Sequence, residues 1–170
     1  MSAPSSLYNA IVTLVLAPGI VSHEFAHVQA CRLFGVRVTA SRYLNPFAED
    51  AYVDHERVDS FVADLGIAVA PLLVNTILGA AAFVAFGLLV GSSLAYLFGW
   101  LGAVFALTAV PSPSDTSSLF RTAGNLPRGA REVAYLVAAP VRALTAIPFA
   151  SGIYGYVLAV ALFSLAAGPV

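Results

Sequence analysis

The charged side chains of this chain are confined to a few short stretches. Residues 1–22 contain no Asp, Glu, Lys or Arg, and neither do residues 65–114 or 143–170. Long uncharged, apolar stretches constrain a fold severely. A helix of about 20 apolar residues crosses a bilayer, and inside lipid only helices or closed barrels satisfy every backbone polar group. Composition agrees: 59% of residues are hydrophobic and 10% charged, against about 25% charged in an ordinary soluble domain. So few charges cannot coat a water-soluble surface. The same arithmetic argues against disorder and a coiled coil. A formal net charge of −1 leaves no basic footprint for nucleic acid. The expected fold class is an all-α polytopic membrane protein, one integral domain over 1–170, embedded in the lipid bilayer. It has about four transmembrane helices and a small β-hairpin or membrane-edge loop after the first.

Read along the chain, span one covers 7–34, with Pro18-Gly19 inside it as a possible kink. A polar loop or hairpin follows over 35–59. In it Val36 to Ala40 alternates like a strand, Asn45-Pro46 marks a turn, and Ala51-Tyr52-Val53 forms a return strand. Span two covers 61–90, with a break expected near Pro71, and span three covers 94–110. A polar loop over 112–131 leads into an interfacial helix over 130–146, expected to break at Pro140, and span four covers 149–167. Arg32, Arg37, Arg42 and Arg57 flank the first loop, and Arg121, Arg128 and Arg131 the third. The positive-inside rule puts both loops on the cytoplasmic side, and both termini outside. The N-terminus has no basic region, so a cleaved signal peptide is not expected.

The chemistry concentrates in His23-Glu24-Phe25-Ala26-His27, an H-E-x-x-H string. On a helix, positions i and i+4 put both imidazoles on one face. They can share one tetrahedral Zn²⁺, with Glu24 beside it as general base. The competing reading is a hydrogen-bonded polar cluster without metal. Charged side chains cost about 2.5–3.5 kcal/mol at mid-bilayer, so ionisable groups in a span are kept where they face partners or a wet cavity. A catalytic zinc needs a third protein ligand and an open position. Cys31 is the only cysteine, which excludes a cysteine cluster and an intramolecular disulfide. Asp115, just after span three, is the best third ligand. Spans one and three run in the same direction, so His27 and Asp115 lie toward the same side. Asp115 could instead cap the segment that follows it, and His55 is the next candidate ligand. Asn75, polar inside span two, has two open readings: hydrogen bonding between helices, or steadying a substrate carbonyl near the metal. Water is expected to reach the site near Glu49 to Asp64.

In their order, these pieces resemble the site-2 protease family of intramembrane zinc metalloproteases. The resemblance rests on His23, Glu24 and His27, then Pro71 and Asn75, then Pro111, Pro113 and Asp115, and covers about residues 7–120. Asp115 is flanked by Ser114 and Thr116, where the family usually has Leu and Gly. The chain looks like a minimal member without a PDZ domain. The resemblance implies one Zn²⁺ per chain on His23, His27 and Asp115, with Glu24 as catalytic base and Asn75 as a catalytic helper. The implied reaction is hydrolysis of peptide bonds in a transmembrane protein substrate, in the cell membrane with the active site toward the cytoplasm.

Two other functions compete. One is a catalytically inactive relative that binds a membrane-protein partner. The other is a metal transporter, disfavoured because transit needs ligands at several depths and the interiors of spans two to four have no ionisable residue. Gly87-x-x-x-Gly91 and Ala95-x-x-x-Gly99-x-x-x-Ala103 permit close helix packing, within the monomer or in a homo-oligomer.

Overall fold

The computed structural model describes residues 3–44, 51–147 and 150–166. Within them the order is α1 (Ala3–Leu33), β1 (Val38–Arg42), β2 (Tyr52–His55), α2 (Phe61–Leu88), α3 (Ser93–Leu107), α4 (Leu119–Gly124), α5 (Ala130–Ala146) and α6 (Ala150–Ala166). The chain is mostly helical with one small sheet, as its apolar runs require. Two helices are long and apolar enough to cross a membrane, over Leu7–Leu33 and Phe61–Leu88. A third crossing of that length exists only if α5 and α6 form one bent span. The 15-residue α3 is apolar but about 22 Å long at the α-helical rise, short of the roughly 30 Å hydrocarbon core.

α2 is the central helix, packed against α1, α3, α4 and α6. Ser60 starts it by accepting a 3.4 Å hydrogen bond from Ala63 N–H, a side-chain cap for one of the free first-turn donors. α2 runs unbroken through Pro71, as α1 does through Pro18. After Leu88, Gly91 takes φ +92° and Ser92 caps α3, so α2 and α3 form a tight hairpin. Small residues let the two approach. Ala95 is buried, and a Cβ at Gly99 would lie 3.1 Å from the Phe86 ring. Two other helices meet the α3 backbone almost directly. A Cβ on Gly19 of α1 would sit 2.7 Å from Val104 O, and one on Gly155 of α6 would sit 2.7 Å from Leu107 O.

Two apolar clusters hold the rest. Ala30, Cys31, Val58, Ala63 and Ile67 join α1 to α2 and to the segment after β2. Phe61, Ala68, Leu119, Ala123, Ala134 and Ala138 form a cluster in which α4 packs on α2 and α5 packs on α4. These short side chains let α5 lie close, which corrects the break expected at Pro140: α5 is continuous to Ala146. Proline removes one N–H from a helix interior. Here burial of Ala134, Ala138 and Thr145 along one face keeps the helix in place across it.

The hairpin is real but starts later than the alternation suggests. Gly35, at φ +69°, ends α1. Val36 N–H then donates to Cys31 O at 2.8 Å, so Val36 belongs to the helix end and packs on the first cluster. β1 pairs antiparallel with β2 from Val38 opposite His55 to Arg42 opposite Tyr52, with an irregularity between Val38 and Ala40. The Arg42 guanidinium lies over the Tyr52 ring. The expected Asn45-Pro46 turn lies outside the described residues. Span three also ends early, because Thr108 is already the C-cap of α3.

Candidate metal centre

His23 and His27 lie one turn apart on α1, with ring centroids 5.0 Å apart and nearly edge to face. Each ring is fixed through the same atom by a different helix. His23 Nδ1 lies 2.6 Å from Thr108 O at the end of α3, and His27 Nδ1 lies 2.9 Å from Ile67 O on α2. A carbonyl only accepts, so Nδ1 carries the proton in both rings and Nε2 presents its lone pair. This is the arrangement in which metal-ligating histidines are usually held.

Both Nε2 atoms face Asp115. His23 Nε2 is 3.6 Å from Asp115 Oδ2 and His27 Nε2 is 3.5 Å from Oδ1, with side-chain exposures of 12%, 6% and 19% for His23, His27 and Asp115. His27 Nε2 is a buried atom with no hydrogen-bond partner among the described residues. An orphaned buried acceptor costs about 1–3 kcal/mol, unless an ion or water takes its lone pair. The ligand atoms of the three residues lie within 4.8 Å of one another. A tetrahedral ion with bonds of about 2.0–2.2 Å holds its ligand atoms about 3.3–3.6 Å apart, and each imidazole lies at about that spacing from one of the two Asp115 oxygens. The three residues therefore form a group that could hold a metal ion.

Asp115 lies in the turns between α3 and α4. Its Oδ2 accepts Ser112 N–H at 2.7 Å, and its own N–H donates to Ser112 Oγ at 3.3 Å. It is not the cap of α4; that position is Ser118. Burial alone would raise the Asp115 carboxyl. The Ser112 N–H bond to Oδ2 works the other way and favours the ionised carboxylate, the form a metal ligand must take.

Glu24 is 9% exposed and shares one cavity of about 530 Å³ with all three ligands. Its other walls are residues 51–58, Ile67, Ser112, Ser114, Ser117, Ser118 and Arg121. Of the 49–64 stretch where a polar route is expected, residues 51–58 line the cavity, and Glu49 lies outside the described residues. His55 lines the cavity, but its Nδ1 lies 2.8 Å from Glu56 O, and it stands outside the ligand group.

Asn75 sits behind the ligands rather than in the cavity. It is 0% exposed. Its amide nitrogen donates to Gly19 O at 3.1 Å, Thr108 Oγ1 at 3.1 Å and Thr108 O at 3.3 Å, and its Oδ1 accepts from Ser22 Oγ at 2.6 Å. Of its two readings, hydrogen bonding between helices is the one these contacts supply. It ties α1, α2 and α3 together at the carbonyl that holds His23.

Sequence reasoning missed Thr108 and Ile67, which act through carbonyl oxygens that every residue has. It also missed Arg121 and Ser118 on the cavity wall. Ser22 had one signal, a hydroxyl next to His23 in an apolar run.

Fold and site together define a mostly helical protein suited to a membrane, with a His–His–Asp group able to hold a metal ion beside a buried glutamate. Comparison with protein-family models, with curated proteins and with solved structures returns no match for the chain.

Proposed function

We propose that this chain is an intramembrane zinc metalloprotease of the site-2 type, acting on membrane-spanning protein substrates. The observation that carries the reading is the convergence of the two Nε2 lone pairs, one without a partner, with the Asp115 carboxylate and Glu24 in a single cavity. Two imidazoles with one carboxylate suit zinc better than a hard cation such as Mg²⁺ or Ca²⁺. When bound, zinc acidifies a coordinated water and polarises a carbonyl.

Glu24 is the general base. It takes a proton from the attacking water and returns it to the leaving amine. Thr108 O and Ile67 O keep His23 and His27 in the tautomer that leaves Nε2 free, and Asn75 steadies the first of them. A substrate helix hides its carbonyls in its own hydrogen bonds, so it unwinds before cleavage. β1 covers one edge of β2, and the β2 residues line the cavity, so an unwound segment pairs by strand addition along the other edge. On this reading α1 and α2 cross the cell membrane in full, the shorter α3 and α6 cross where the bilayer thins around them, and α5 lies at the interface. Its arginines set the hairpin and the 112–131 loop toward the cytoplasm. Among the described residues the possible ligands gather into one group, which speaks against a transport path with ligands at several depths.

The test is cleavage of a transmembrane model substrate by the detergent-purified protein loaded with zinc. Glu24→Gln should keep about one zinc per chain and lose about 10²-fold or more in cleavage rate. Asp115→Ala should lose the metal. Cleavage undiminished in Glu24→Gln would overturn the reading. Zinc bound by a wild type that leaves every peptide intact would favour the non-catalytic relative.

A further inference from the structure

Asp115 is the one member of the ligand group that no regular element carries. His23 and His27 ride on a long helix, while residues 113–118 are turns. A carboxylate on a turn needs support from elsewhere, and α5 supplies it, although no described residue of α5 lines the cavity. Arg142 Nη1 donates to Pro113 O at 3.0 Å and to Thr116 Oγ1 at 3.2 Å. Thr116, next to Asp115, is fully buried, and its hydroxyl lies 2.7 Å from that of Thr145. Thr145 Oγ1 also lies 3.1 Å from Arg142 O.

Each hydroxyl has a single proton, and the shorter bonds set one direction, since Pro113 O and Ser112 O lie farther from Thr116 Oγ1, at 3.4 and 3.5 Å. Thr145 gives its proton to Arg142 O. Thr116 therefore donates to Thr145 and accepts from the Arg142 guanidinium. The ring closes on itself, and both hydroxyls are satisfied. On the far flank of the turn, Asp64 of α2 is 2% exposed and accepts Ser118 Oγ at 2.6 Å and Thr122 Oγ1 at 2.7 Å. That clamp fixes α4. The Arg142 ring grips Pro113, two residues before Asp115, and Thr116, the residue after it.

We propose that Thr116, Arg142 and Thr145 are positioning residues for the metal-binding carboxylate, and that α5 is the strut setting Asp115 at ligand distance from the two imidazoles. The inference rests on the metal-centre reading. It goes beyond it by giving α5 a role in metal affinity that does not depend on the reaction.

Cobalt(II) titration of the detergent-purified chain tests it, read by visible ligand-field absorption, with circular dichroism and thermal unfolding to report the fold. Thr116→Val keeps the shape and removes the hydroxyl. Arg142→Gln removes the guanidinium that spans both acceptors. Each should weaken cobalt binding about tenfold or more and alter the absorption band, with helix content unchanged. Thr116→Ser should bind as the wild type does. If Thr116→Val fails to fold, Thr145→Val carries the test, since it opens the ring and leaves Arg142 in place. Wild-type affinity in folded Thr116→Val and Arg142→Gln would overturn the positioning role. An equal loss in Thr116→Ser would assign the effect to packing and overturn it too. A wild type that binds no cobalt would overturn the metal centre itself, and this inference with it.

Discussion

Thr108 shows how a residue can matter through its backbone. Its carbonyl takes the Nδ1 proton of His23 and one from Asn75, and its hydroxyl accepts from the same amide. Asn75 is therefore placed to affect both stability and the set of the His23 ring. Replacing it with Leu takes the amide donor from the Thr108 hydroxyl and carbonyl and the Oδ1 acceptor from Ser22, while Ser22 Oγ still reaches Gly19 O. The expected cost is about 1–3 kcal/mol, that of buried polar groups stripped of a partner. A lowered unfolding temperature in detergent would show it, and an unchanged one would remove Asn75 from the framework. At this scale His23, Glu24 and His27 were legible, because their spacing is itself the signal. Asp115 was legible from its place after an apolar run. Asn75 was visible as a polar group in a span, but its partners were not. Asp64 is similar: a carboxylate near the start of span two is plain in the sequence, yet Ser118 and Thr122 become its donors only after folding.

Elements were legible where long apolar runs define them, and less so where a tertiary contact sets the boundary. α5 ignores Pro140 because its alanine face is held down. β1 starts at Val38 because the end of α1 captures Val36. The small residues in the spans have a directly testable consequence. A methyl group at Gly155 would meet Leu107 O at 2.7 Å and Leu107 Cα at 2.9 Å, while one at Gly152 would meet nothing within 4 Å. Backbone cannot yield as a side chain tip can, so Gly155→Ala should destabilise by about 1–3 kcal/mol through overpacking. Gly152→Ala, on the same helix, should be neutral or gain up to about 1 kcal/mol from helix propensity. Equal unfolding temperatures for the two variants would mean that α6 does not press on α3.

For the whole molecule, the contact of His23 with Thr108 sets the C-terminal half of α1 against the end of α3, and residues of the hairpin and of the turns after α3 line one cavity. The hairpin after α1 and the turns after α3 then share one side, and the turn before α3 lies away from them. Arginine counting reaches the same arrangement independently. Thiol labelling in sealed vesicles checks it, with cysteines introduced singly by Ser41→Cys, Arg128→Cys and Ser93→Cys. The first two should react from one side and the third from the other, while Cys31, buried, stays silent. Ser41→Cys and Arg128→Cys reacting from opposite sides would break the arrangement. The mostly helical, apolar architecture was legible at this scale because charge segregation and run length carry it. The strut formed by α5 was not, since nothing in the sequence pairs residue 116 with residues 142 and 145.

The placement of the three ligands has one more consequence. His27 and Asp115 belong to distant parts of the chain, with the hairpin, α2 and α3 between them. An ion bound by both would join the ends of that long loop in the folded state alone, since the unfolded chain offers no preformed site. With a single cysteine, the chain has no disulfide of its own to do this. Its durability would be tied to free metal concentration by mass action, a staple the surroundings can insert or withdraw.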